Sequence, residues 1–115
     1  MLYWLLQIAE ELKDKVSIEV INLHTIKPLD EKTILKSAKK TGRVFCAEDH
    51  NIMGGMGSAV AEFLGENHPV PMKLHGVYDQ FTESGLPKDL WAKYKLDKAG
   101  TKQVLLSFLK KNKYV

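Results

Sequence analysis

The sequence predicts an α/β protein of three layers, α/β/α, around a mostly parallel sheet. Three observations predict it. Segments with apolar residues at helical spacing alternate with short apolar or β-branched runs, in the order helix, strand, helix, strand, helix, strand, helix, helix. One run, Val44-Phe45-Cys46-Ala47, is apolar without interruption, as in strands covered on both faces. With 115 residues and an apolar share of 44%, the chain fits one domain, residues 1–115. A domain of that size buries roughly two-thirds of its unfolded surface.

The elements follow from local chemistry. Leu5, Ile8, Ala9 and Leu12 recur at helical spacing, which predicts an amphipathic helix over 2–13. Val16 to Leu23 is rich in β-branched residues, with Val16, Ile18 and Val20 alternating, and predicts a strand. Pro28 marks a loop, Asp30 can cap a helix running to about Thr41, and Gly42 stops it. Arg43 to Glu48 predicts the second strand. A glycine-rich loop precedes a helix from about Ser58 to Gly65, with Val60, Phe63 and Leu64 facing inward. Pro69 and Pro71 break the chain before a third strand, Met72 to Val77. Pro87 suits the first position of a short helix to about Lys95. Asp97 can cap the last helix, whose stripe is Val104, Leu105, Phe108 and Leu109.

Composition excludes several function classes. The net charge of +3 is unevenly spread, and residues 88–115 hold eight lysines against Asp89 and Asp97. Those lysines are spaced as on a solvated helix face, with no aromatic stacking platform, so nucleic acid is not an expected partner. The apolar start, Met1 to Leu6, is too short to span a bilayer, and it resembles neither a signal nor a transit peptide. No membrane partner is expected. A single cysteine, Cys46, favours a reducing compartment, the cytoplasm.

The segment with most chemical potential is Glu48-Asp49-His50-Asn51-Ile52-Met53-Gly54-Gly55-Met56-Gly57-Ser58. It joins a strand end to a helix start, where open α/β sheets hold their ligands. Free N–H groups at a helix start attract anions, so a phosphate or carboxylate could dock at Gly55-Met56-Gly57-Ser58. The alternative is a tight turn with Ser58 or Gly57 as helix cap. No Lys follows the glycines, which excludes a P-loop, and the spacing is not that of a dinucleotide fingerprint. Glu48 and His50 could share a strand face, where a carboxylate beside an imidazole serves either proton transfer or a structural contact. Glu48, Asp49, His50, Gly54, Gly55, Gly57 and Ser58 are therefore the candidate anion or interface loop.

Other chemistries lack support. His24, His50, His68 and His75 are scattered without metal-ligand spacing. Cys46 sits inside an apolar strand, where it packs as a small hydrophobe. Ser58 and Ser84 fall at helix starts, and no nucleophile elbow is present. A second loop, Tyr78 to Pro87, should reach the same sheet edge, with Tyr78 and Phe81 available to a partner or to local packing.

Several of these segments together resemble a known family. Ile21-Asn22-Leu23-His24-Thr25-Ile26-Lys27-Pro28-Leu29-Asp30, then Gly42-Arg43, Glu48-Asp49-His50 with Gly54-Gly55-Met56-Gly57, and Glu83-Ser84-Gly85-Leu86-Pro87 with Leu90 resemble the C-terminal domain of transketolase. The likeness runs over about residues 8–110, in order. Related domains occur in deoxyxylulose-phosphate synthase and in the beta subunit of 2-oxoacid dehydrogenases. The Glu-Asp-His and Glu-Ser-Gly-x-Pro segments are more similar to transketolase than to either.

The resemblance implies an enzyme of the pentose phosphate pathway that transfers a two-carbon ketol unit between sugar phosphates, using thiamine diphosphate and a divalent metal such as Mg²⁺. It implies that pyrimidine-binding and pyrophosphate-binding domains or subunits hold those groups and the catalytic residues. This chain is then expected to contribute no catalytic, cofactor or metal ligand. It serves as a scaffold for a homo-oligomer, with its glycine loop facing neighbouring domains or the other subunit. A non-enzymatic module binding an anionic metabolite at Gly54–Ser58 is the reading from a different class.

The resemblance also implies a five-stranded mixed sheet whose first strand would precede the first helix and lie inside the sheet. Met1 falls within that helix, so the chain resembles a truncated form of the domain. Loss of an interior strand should leave a gap or a rearranged pairing. Apolar surface is expected on Val20, Leu23, Val44 and Cys46, favouring association of chains.

Overall fold

The computed structural model describes residues 1–23, 28–77 and 95–112, apart from the side chains of His50 and Asn51. Six regular elements are present among them: α1 (Leu2–Glu11), α2 (Glu31–Thr41), β1 (Val44–Asn51), α3 (Met56–Asn67), β2 (Met72–Val77) and α4 (Lys98–Lys111). The expected loop from Tyr78 to Pro87 and the short helix beginning at Pro87 lie outside the described residues, as does His24.

The helices form where their ends are chemically specified. In α2 the Asp30 carboxylate accepts the Thr33 amide, and Gly42 closes the helix at φ 76°, a left-handed geometry that favours glycine. In α4 the Asp97 carboxylate accepts the Gly100 amide at 2.9 Å. α1 has no side-chain cap, and tertiary packing holds it instead.

β1 and β2 form a parallel pair, with Val44 opposite Met72 and Cys46 opposite Leu74, and the register shifts between Ala47 and Asn51. The Val44 amide donates to the Pro71 carbonyl and the Ile52 amide to that of Val77. Successive side chains of β1 serve opposite layers. Phe45 packs with Ile8 and Leu12 of α1, Val16, and Leu105, Phe108 and Leu109 of α4. Cys46 packs with Ile34 and Ala38 of α2 and Val60 and Leu64 of α3. The continuous apolar run thus belongs to a strand covered on both faces, and the architecture is α/β/α. Burying each large aliphatic side chain of these two clusters contributes about 1.5–3 kcal/mol.

The lysine-rich C-terminal helix is tied to the body of the fold. Lys98 and Lys102 reach Glu11 of α1 at 3.2 and 3.8 Å. The Arg43 guanidinium donates to the Asn112 carbonyl at the end of α4, at 2.9 Å. Among the described residues no helix is long and apolar enough to cross a membrane.

One expected strand is corrected. Val16 to Leu23 has the alternation of a strand, with Val16, Ile18 and Val20 turned inward and Ser17 and Glu19 exposed. It joins no ladder, and the described sheet has two strands, β1 and β2. A cavity of about 190 Å³ separates this segment from β1. Val20, Leu23, Val44 and Cys46 all line it. They are turned into this gap, with Val20, Leu23 and Val44 half-buried and Cys46 buried.

Candidate functional site

The glycine loop lies at the carboxyl end of β1, which extends three residues beyond its expected end at Glu48. Glu48 follows Cys46 on the face toward α3 and is 8% exposed, unusual burial for a carboxylate. Its two oxygens accept the Met56 amide at 3.0 Å and the Gly57 amide at 3.1 Å. These are among the otherwise orphaned donors of a helix start, and a carboxylate there also meets the positive end of the helix dipole.

This contact corrects the expected cap. α3 starts at Met56, two residues before Ser58, and its flanking residue, Gly55, offers no side chain. The cap comes from Glu48, across the loop. Gly57 is needed for the approach: a Cβ built there would lie 2.8 Å from Leu74 Cδ2, 3.2 Å from Glu48 Oε1 and 3.4 Å from Cys46 Cβ.

Ser58 closes the loop from the other side. Its hydroxyl donates to the Ile52 carbonyl at 2.7 Å and accepts the Gly54 amide at 3.1 Å. Gly54 adopts φ 74°, where a side chain is strained. The Ile52 carbonyl and the Met56 amide are parts of the arrangement that sequence reasoning missed, since backbone groups leave no motif. Asp49 and Met53 point outward, Met53 being 66% exposed. The expected pairing of Glu48 with His50 falls on a side chain outside the described residues.

Cys46 sits below this loop, and its thiol is pushed up to about 12 by burial and by the nearby Glu48 charge. Such a thiol is protonated and a poor nucleophile. Among the described residues no three His, Cys, Asp or Glu side chains converge as a metal site. His75, a residue of β2, is fully buried, 2.8 Å from the Lys95 carbonyl and 3.4 Å from the Thr101 hydroxyl. Burial lowers its pKa, the Lys95 carbonyl partly opposes that, and the charges of Lys73 and Lys95 lower it further.

The loop joining β1 to α3 is thus buttressed by a buried glutamate and by a glycine packed against the sheet. The profile described as "Transketolase, C-terminal domain" matches residues 1–100. The chain belongs to this transketolase C-terminal domain family. It is 52% identical over 89 residues to the 6-deoxy-6-sulfo-D-fructose transketolase subunit of Clostridium sp. (strain MSTE9), a match covering 76% of this chain and 28% of that protein. It is 38% identical over 96 residues to an apulose-4-phosphate transketolase subunit of Phocaeicola vulgatus, covering 84% of this chain and 30% of the relative. The 1-deoxy-D-xylulose-5-phosphate synthase of Desulfotalea psychrophila is 38% identical over 112 residues, covering 95% of this chain and 17% of its own. The chain thus spans less than a third of these curated relatives.

Among solved structures, the fold matches a protein titled "Split gene transketolase, inactive beta4 tetramer" with a TM-score of 0.85 and 36% identity. That match covers 94% of this chain and 36% of the other. The domain is therefore a transketolase C-terminal fold in both sequence and architecture.

Proposed function

We propose that this chain is the structural and dimerisation domain of a transketolase that moves a two-carbon ketol unit between sugar phosphates. The reacting groups then belong to other domains or subunits. One observation carries the reading. At the strand end where open α/β sheets hold ligands, the Glu48 carboxylate and the Ser58 hydroxyl are turned onto the loop's own backbone. They shape a surface rather than face a substrate.

Of the two roles for Glu48, Asp49, His50, Gly54, Gly55, Gly57 and Ser58, the interface role is favoured. An anion arriving at the start of α3 would have to displace Glu48 from the Met56 and Gly57 amides. The loop offers exposed Met53 and Asp49 to a neighbouring domain or subunit instead. The likeness to a tetrameric split-gene transketolase supports homo-oligomeric assembly.

The donor set does not fit the family's cofactor. A Mg²⁺-bound diphosphate needs oxygen ligands and cationic or amide partners, and no metal-ligand group converges among the described residues. Thiamine diphosphate and Mg²⁺ belong, on this reading, to pyrimidine-binding and pyrophosphate-binding partners. A cytoplasmic setting is consistent with the buried, unpaired Cys46. A second reading, the corresponding domain of a deoxyxylulose-phosphate synthase, is favoured by the 112-residue likeness to that enzyme.

The test is to assay the purified chain alone. With a ketose phosphate donor and an aldose phosphate acceptor it should give no ketol transfer, and calorimetry with thiamine diphosphate and Mg²⁺ should match a control protein. Tight cofactor binding would overturn the assignment of the cofactor to other domains. Light scattering should give a dimer or larger species, and a monomer at high concentration would overturn the dimerisation role.

A further inference from the structure

α4 presents two adjacent stripes of side chains toward the start of β2. Gln103, Ser107 and Lys111 recur along one, and Val104 and Phe108 along the next. With Lys73 of β2, and with Lys95 just ahead of α4, they enclose an open cavity of about 460 Å³. That volume is in the range of small-molecule sites. The cavity lies at the amino end of β2, away from the glycine loop at the carboxyl end of β1.

Its charge is of one sign. Lys73, Lys95 and Lys111 line it, and no Asp or Glu is among the described residues that do. Elsewhere on α4, Lys98 and Lys102 are matched by Glu11. The positive charges of Lys73 and Lys95 both reach the His75 ring and disfavour its protonation, so the two come together against their mutual repulsion. The carbonyls at the end of α4 do little to offset this charge. That of Asn112 accepts the Arg43 guanidinium, and that of Phe108 accepts the Asn112 side chain. A cleft with low-dielectric walls focuses such a field onto an incoming anion.

Lys95 is held at this rim in an unfavourable backbone geometry. Among the described residues it alone, apart from glycines, has a positive φ, 58°. Glycine adopts that conformation freely and asparagine tolerates it, whereas a lysine is strained there. The surrounding structure enforces it. The Lys95 carbonyl lies 2.8 Å from His75 Nε2, and Gly100 lets the first turn of α4 close on it, since a Cβ there would lie 2.5 Å from Lys95 Cα. Strain of this kind collects at ligand clamps and switch regions.

We propose that this cavity binds a small organic phosphate, with Lys73, Lys95 and Lys111 on the phosphate oxygens, Gln103 and Ser107 as further donors, and the apolar floor of Val104 and Phe108 under the rest of the ligand. Ammonium groups and neutral donors suit an oxyanion with many lone pairs. The apolar floor suits a ligand larger than the ion alone. The site is separate from the dimerisation reading above, and failure of either leaves the other standing.

The test titrates the 115-residue chain with phenyl phosphate in about 0.1 M salt, followed by NMR at the Lys73, Ser107 and Lys111 amides. Shifts at these amides should saturate below about 10 mM. Lys95→Asn, which keeps the left-handed backbone, combined with Lys111→Gln should weaken binding about fivefold or more. Lys36→Gln with Lys39→Gln, on exposed positions of α2, removes the same charge elsewhere and should leave the affinity unchanged. Urea midpoints verify that the variants are folded, and Lys111→Gln alone, at an exposed position, serves if the pair is not. A flat titration would overturn the proposal. Equal loss in both pairs of variants would overturn it as well, since that means general attraction to a basic surface. Inorganic phosphate binding as tightly as phenyl phosphate would overturn the organic ligand, and a hexaglutamate peptide binding more tightly than either would assign the cleft to an acidic polypeptide and overturn it too.

Discussion

Replacing Glu48 by alanine should loosen the start of α3 more than any surface change of similar size. The carboxylate accepts two amides at 3.0 and 3.1 Å and is 8% exposed, so water cannot readily take its place. A hydrogen bond to a charged group contributes about 1.5–3 kcal/mol, and an abandoned buried donor costs about 1–3 kcal/mol. The Gly57 amide is buried, whereas Met56 is half-buried and its amide can recover a water. The combined loss is therefore about 2–4 kcal/mol rather than twice the single-bond value. Glu48→Gln retains one acceptor, but its NH₂ group confronts the second amide and the charge at the helix end disappears. Its expected cost is about 1–3 kcal/mol. Urea denaturation of the purified variants measures both, and hydrogen exchange at the Gly57 amide reports the local opening. The wild type should be most stable, then Gln, then Ala. A loss below about 0.5 kcal/mol in Glu48→Ala, with Gly57 exchange unchanged, would refute the idea that this carboxylate holds the helix.

Three further outcomes follow from the same geometry. Gly57→Ala gains about 1 kcal/mol of helix propensity but forces a Cβ to 2.8 Å from Leu74 Cδ2, so overpacking of about 1–3 kcal/mol should prevail. A urea midpoint at or above the wild-type value would count against that close approach. His75 has a folded pKa below its ordinary 6.5, so the unfolded chain binds the proton more readily. Its contribution to stability should be complete above pH 6.5 and decline as the pH falls below it, seen as a lower urea midpoint at about pH 5.5 than at about 7.5 and as a His75 ring more than half neutral by NMR at pH 6.5. A ring half-protonated at or above pH 6.5 would contradict this. Cys46, with its thiol near 12, should resist iodoacetamide at about pH 8 in the native chain and react readily in urea; equal rates in both would show that burial does not protect it.

The parts legible in the sequence are those specified by neighbours in the chain. Asp30 and Gly42 fix the ends of α2, and Asp97 starts α4, because caps act within three or four residues. Pro71 and the run after it delimit β2. The candidate loop is visible as a glycine cluster, but its cap is not. Glu48 acts on Gly57 over nine positions, a contact that exists only once β1 and α3 have packed. The polar stretch Asp49 to Asn51 reads as loop, yet it continues β1 through a register shift toward Val77. Val16 to Leu23 illustrates the opposite limit. Its alternation records which side chains turn inward, and that much is realised, but a strand also needs a neighbour at hydrogen-bonding distance, which no local pattern encodes.

β1 joins these observations. By its side chains it is a central strand, since Phe45 enters one helix layer and Cys46 the other. By its pairing among the described residues it is an edge strand, with β2 on one side only. Natural edge strands are guarded by charged residues, prolines or bulges that discourage further pairing. Between Val44 and Ala47, β1 carries none of these guards, and its register shift comes only after Ala47. The guarded part begins with Glu48 and Asp49, at the end where the loop turns over α3. The sequence of β1 thus matches a strand with neighbours on both sides along its apolar half and a capped, loop-bearing end beyond it. The cavity beside Phe45 and Ala47 lies where that second neighbour belongs, and the Glu48 cap lies just past it. The loop beyond it is held by side chains instead: Glu48 accepts the Met56 and Gly57 amides, and Ser58 bridges the Ile52 carbonyl and the Gly54 amide.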